Sequence, residues 1–110
     1  MKIETYDKLF ITLGNSRRLL ILAFLRESGP SSVSRIMLST GLEQSAVSHA
    51  LKKLRFYNLV FVKRKGRERI YTLNRETITP LLNLVRRHLN SGKKRISRKR
   101  LKLSWGHFYA

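Results

Sequence analysis

Thr40-Gly41-Leu42-Glu43-Gln44-Ser45-Ala46-Val47-Ser48-His49-Ala50-Leu51-Lys52-Lys53-Leu54 is the stretch on which the reading of this chain turns. Ala46, Val47, Ala50, Leu51 and Leu54 recur at helical spacing and predict the buried face of a helix over residues 44–57. The opposite face carries Ser45, Ser48, His49, Lys52 and Lys53, with Gln44 at its start. Upstream, Val33, Ile36 and Met37 share one face of a shorter helix over residues 32–40, and Thr40-Gly41-Leu42-Glu43 is the tight turn between them. Asn58 tolerates the left-handed backbone and closes the second helix.

The flanks complete an order of elements. Ile3, Tyr6, Phe10 and Leu13 predict a first helix over residues 3–13, interrupted at Gly14. Asn15 or Ser16 then caps a helix over residues 16–27, whose run from Leu19 to Leu25 is apolar enough to sit at the centre of the fold. Ser28-Gly29-Pro30 ends it, since proline cannot continue a helix. Past Asn58 the period changes: Leu59-Val60-Phe61-Val62 and Ile70-Tyr71-Thr72-Leu73 flank a basic turn over residues 63–69 and predict a hairpin. A last helix over residues 75–89 places Ile78, Leu81, Leu82, Val85 and Leu89 on one stripe, and Pro80 favours a start nearer Thr79. The class is mainly α with a small β-hairpin: one domain over residues 1–90, then a basic tail over residues 91–110 with an aromatic end at Trp105, Phe108 and Tyr109.

Composition narrows the function. The chain has 110 residues, a net charge of +18 and no cysteine. That charge argues for a polyanionic partner, nucleic acid ahead of a membrane surface. The lack of cysteine excludes disulfides, thiolate metal sites and a cysteine nucleophile. No apolar run approaches a membrane span, and the N-terminus lacks a signal peptide's apolar stretch, so the expected location is the cytoplasm, on the nucleoid. The six acids are scattered, nothing orients a Ser-His-Asp triad, and there is no glycine-rich phosphate loop, so catalysis is not expected.

Helix, helix, turn, helix, hairpin, helix is the order of a winged helix-turn-helix, in which the second helix of the turn enters the major groove of DNA. Gln44, Ser45, Ser48 and His49 lie on the N-terminal turns, where base edges are reached, and Lys52 and Lys53 are placed for the phosphate backbone. The hairpin tip holds five cations and one acid in seven positions, with Arg64, Lys65, Arg67 and Arg69 suited to flanking DNA. Lys93, Lys94 and Arg95 open the tail, which reads as an arm that tracks phosphates. Two alternatives stand beside a sequence-specific regulator: an architectural protein that coats DNA with little preference, and RNA binding through the tail's aromatic end.

These residues resemble the ArsR/SmtB-like winged-helix regulators over about residues 9–89. Leu13 to Leu22 is similar to the family's entry into its second helix, with Asn15 in the usual Asp position, Arg18 in the Arg position and Ser16 where proline is frequent. Thr40 to Leu54 is similar to its helix-turn-helix, and Leu59-Val60, Gly66-Arg67 and Tyr71-Thr72-Leu73 to its wing. Glu43 replaces the usual capping serine and Ala50 a frequent histidine. The resemblance implies a transcription regulator, more often a repressor, that binds double-stranded DNA as a homodimer through its first and last helices. The residues so implicated are Tyr6, Phe10, Leu13, Ile78, Leu82, Val85 and Leu89, whose stripes by themselves suit either a core or a partner. No metal site is expected: Ser32-Val33-Ser34 stands where thiol-based sensors of the family have cysteines, and the last helix offers only His88. No cofactor is implied, and the residues name no effector.

Overall fold

The computed structural model describes residues 2–91; the tail, with Lys93, Lys94, Arg95, Trp105, Phe108 and Tyr109, lies outside the described residues. The elements are α1 (Ile3–Leu13), α2 (Ser16–Ser28), β1 (Ser31–Ser32), α3 (Val33–Thr40), α4 (Gln44–Phe56), β2 (Val60–Lys65), β3 (Glu68–Leu73) and α5 (Ile78–Ser91). This is the expected winged helix-turn-helix.

Short polar side chains and special backbone angles set the helix ends. The Asn15 side chain accepts from the Arg18 amide at 3.1 Å and so caps α2, while the Ser32 hydroxyl accepts from the Arg35 amide at 3.2 Å and caps α3. Gly41 ends α3 at φ +75°, a left-handed conformation that costs a residue without a Cβ nothing, and its amide donates to the Met37 carbonyl at 2.9 Å. Asn58 ends α4 at φ +58°. There the Asn58 amide donates to the Arg55 carbonyl at 3.0 Å and the Leu59 amide to the Leu54 carbonyl at 2.9 Å, which is a Schellman motif. Leu54 and Leu59 are both buried in the core, so the same motif aims the chain into the wing.

The centre of the core is α2. Ile21, Leu22 and Leu25 are fully buried and join Ile36 of α3, Val47, Leu51 and Leu54 of α4, Val60 and Leu73 of the wing, and Ile78 of α5 in one cluster. At ~25 cal/mol per Å² of apolar surface, such side chains each contribute roughly 1.5–3 kcal/mol, which is what orients α4 on α2.

Three features depart from the sequence expectation. The sheet has three strands in the order β1-β3-β2, because Ser31 and Ser32 pair antiparallel with Tyr71 and Ile70. Two serines carry no strand signature; they pair because α2 stops at Gly29 and delivers the chain beside β3. The basic turn is shorter than expected, since the ladder runs out to Lys65↔Glu68 and leaves only Gly66 and Arg67 at the tip. Gly66 has φ +62° at the first central position, where a type II′ turn requires it. Finally, α5 begins at Ile78 and holds Pro80 in its first turn, where an amide has no intrahelical acceptor to lose.

Candidate nucleic-acid interface

Successive side chains on a helix turn by about 100°, so α4 divides into two halves. Val47, Ala50, Leu51 and Leu54 are buried and Ala46 is half-buried; Gln44, Ser45, Ser48, His49, Lys52, Lys53 and Arg55 are all exposed. Every expected base-reading or phosphate-binding residue of this helix thus lies on one open half-cylinder, with no acid among them. Arg55 belongs to it although the sequence reading left it out. Its spacing of seven from Ser48 was the available signal.

The half-cylinder has two edges. Gln44, Ser48, Lys52 and Arg55 form one, while Ser45, His49 and Lys53 form the other and line a cleft of about 680 Å³. The opposite wall comes from the N-terminus of α2, with Arg17 and Arg18. Arg18 is fixed there, its Nε donating to the Thr12 carbonyl at 2.8 Å. Glu43 occupies the N-cap of α4 without bonding the first-turn amides, so those donors stay open at the cleft. Nothing in the sequence pairs Arg17 with Lys53; only the packing of α2 on α4 does so.

In the wing, Arg64, Lys65, Arg67 and Arg69 are exposed, and so is Lys63. The register sets Arg64 directly opposite Arg69, while Lys65 faces Glu68. Because partners in a ladder point to the same side, the two guanidinium groups share a face with Val62 and Tyr71, beyond the edge of the core. Like charges held opposite one another destabilise a hairpin, and an anion between them relieves the repulsion.

The apolar face of α1 and α5 is only partly the expected one. Tyr6, Phe10 and Val85 are exposed and Leu89 is half-buried, but Leu13, Ile78 and Leu82 lie in the chain's own core. Ile78 is 1% and Leu82 6% exposed, which leaves them no surface to offer a partner. A helical stripe identifies apolar residues without saying what covers them: the inward edge of α5 is taken by the core, and the outward edge carries Leu84 and Val85 instead. Ile3 and Ile11 extend the exposed stripe of α1.

Among the described residues no group of three His, Asp or Glu side chains comes together, and no helix is long and apolar enough to cross a membrane.

Residues 15–61 match the family described as bacterial regulatory protein, arsR family. The HTH-type transcriptional regulator NmtR of Mycobacterium tuberculosis is 42% identical over 71 residues, 64% of this chain and 58% of that protein. The chain therefore spans little more than half the length of this curated relative. The crystal structure of Rv0081 from M. tuberculosis superposes with a TM-score of 0.78 at 30% identity, over 86% of this chain and 96% of that one. The solution structure of Mb0332 from Mycobacterium bovis, described as a homodimeric winged helix-turn-helix DNA-binding domain and a possible ArsR-family regulator, gives 0.75 at 26% identity, over 87% and 88% of the two chains. With the turn and the whole recognition-type helix falling inside the family match, this chain belongs to the ArsR family of bacterial regulatory proteins.

Proposed function

We propose that the protein is a homodimeric, sequence-specific DNA-binding transcription regulator, acting on the nucleoid by binding rather than catalysis. The observation that carries this reading is the exposed half of α4, polar and basic from Gln44 to Arg55 and free of acids. Gln44 is suited to adenine, whose N6 and N7 it can meet with two hydrogen bonds; Ser45, Ser48 and His49 reach neighbouring base edges. Lys52, Lys53, Arg64, Lys65, Arg67 and Arg69 hold the backbone on either side, and the tail, beginning with Lys93, Lys94 and Arg95, adds contacts of the same kind. Repression is the outcome the family favours. The exposed stripes of α1 and α5 support pairing across a two-fold axis, and the similar Mb0332 domain is described as homodimeric. Two recognition helices then address half-sites ~34 Å apart.

The test is selection of bound fragments from a randomised duplex library near physiological salt, ~0.15 M, with unlabelled bulk DNA competing. An inverted-repeat motif is expected. Replacing Gln44 and Ser48 together by Ala should then weaken the selected site by roughly 1–3 kcal/mol per lost base contact while leaving bulk DNA binding in place. Recovery of unselected sequence refutes the specific regulator and favours an architectural DNA-coating protein, to which the charge of +18 already lends weight.

A further inference from the structure

We propose that the cleft between the N-termini of α2 and α4 is a seat for one DNA backbone phosphate, with Arg17 as the residue that grips it. This rests on the DNA-binding reading and adds a site and a residue to it.

Charge, open donors and shape all converge at this place. Arg17, Arg18 and Lys53 stand against the single carboxylate of Glu43. Arg18 is already committed to the Thr12 carbonyl, so it supplies charge and wall rather than a free donor fork. The Arg17 guanidinium is different: it is exposed on the rim and makes no hydrogen bond or ion pair among the described residues. The Lys53 ammonium is unpaired in the same way. At the same cleft the first turn of α4 lacks a side-chain cap for its amides, and Ser45 adds a hydroxyl. A phosphate oxygen is the partner that uncapped amides and a free guanidinium share.

Geometry assigns the phosphate to DNA. The cleft is bounded by Ser45, His49 and Lys53, one edge of the half-cylinder that carries the base-reading side chains. A helix lying in the major groove has the backbone at its edges, so a strand passing Lys53 passes Arg17. The seat therefore positions α4 without reading sequence. Glu43 opposes it, because its carboxylate lies at the same uncapped terminus and repels the phosphate.

The experiment uses the full chain, fluorescence anisotropy and two duplexes, the selected site and an unrelated one, across a salt series. Each phosphate contact contributes about 0.9 to the log–log salt slope, so Arg17→Gln in a dimer should reduce the slope by about 1.8, which extrapolates from 1 M to about a 30-fold weaker affinity at about 0.15 M, equal for both duplexes. Glu43→Gln should move affinity the other way, and Lys8→Gln, an exposed cation of α1, should leave the slope unchanged. In parallel, inorganic phosphate titrated into labelled protein should shift the amides of Ser16, Arg17 and Gln44 to Ala46, and Arg17→Gln should abolish those shifts. An unchanged slope with no phosphate-dependent shifts overturns the seat. Phosphate shifts with an unchanged DNA slope overturn the backbone assignment in favour of a free phosphate-type anion. Wild-type protein that selects no DNA sequence defeats the regulator reading instead, while the phosphate titration still reads the seat.

Discussion

Phe10 offers the sharpest test of the proposed pairing. It leaves 60% of its surface exposed on the outward stripe of α1, beside Ile3 and Tyr6 at i−7 and i−4. For an aromatic side chain of about 200 Å² that is about 120 Å² of apolar surface. Covering it contributes about 3 kcal/mol at about 25 cal/mol per Å². A two-fold interface counts the residue twice, so complete coverage gives about 6 kcal/mol and half coverage about 3, the latter equal to roughly two orders of magnitude in the dimer Kd. Sedimentation equilibrium on Phe10→Ala reads this directly, with circular dichroism confirming that the helices persist. Leu38→Ala is the control: Leu38 is 87% exposed, more than Phe10, but it projects from α3 outside the α1–α5 face. The expected result is a dissociated Phe10→Ala variant and an unaltered Leu38→Ala dimer. Wild-type protein that sediments as a single chain at tens of micromolar, or two variants that weaken association equally, would refute the reasoning.

Three further outcomes follow from the local geometry. Arg69→Gln removes one half of the like-charged pair with Arg64, so it should stabilise the free protein to urea by a few tenths of a kcal/mol while weakening DNA binding; parallel loss of both would contradict the role of the pair. Asn15→Ala removes the α2 cap and should cost about 1 kcal/mol, lowering the thermal midpoint by roughly 4–8 °C. At Asn58, with φ +58°, Gly should be tolerated, whereas Val should cost at least ~1–2 kcal/mol because its branched Cβ clashes in the left-handed region; equal urea midpoints for the two variants would refute this.

How far the sequence could be read depended on whether a signal was local. Caps and turns were legible because Asn15, Gly41 and Asn58 act on backbone groups within a few residues of themselves. The exposed half of α4 was legible because a helix that buries Val47, Leu51 and Leu54 must turn Ser45, Ser48 and Lys52 outward. β1 was not, since a pairing between Ser31 and Tyr71 depends on where α2 ends in space and not on any property of serine. The division of α5 into a covered and an open edge was hidden for the same reason: Ile78, Leu82, Leu84 and Val85 are equally apolar, and only the neighbouring α2 and wing decide which are buried. Arg17 and Lys53 lining one cleft is a third case, a juxtaposition of elements far apart in the chain.

The distribution of charge also bears on what the proposed pairing would contribute. Cations at Lys52, Lys53, Arg55, the wing and the tail attract any duplex, and that attraction raises the affinity for competing sites along with that for the right one. Sequence preference must then come from few side chains, Gln44, Ser45, Ser48 and His49, each base contact contributing roughly 1–3 kcal/mol. One protomer with two or three such contacts separates its site from bulk DNA by too little for a chain of charge +18. Two protomers held in fixed register sum the base contacts of both half-sites, and the discrimination ratio is squared. The apolar surface of Ile3, Tyr6, Phe10, Leu84 and Val85 is, on this reading, what turns a strongly basic DNA-binding domain into a selective one. Loss of the dimer should therefore erode the preference for the inverted repeat further than it erodes binding to unrelated duplex.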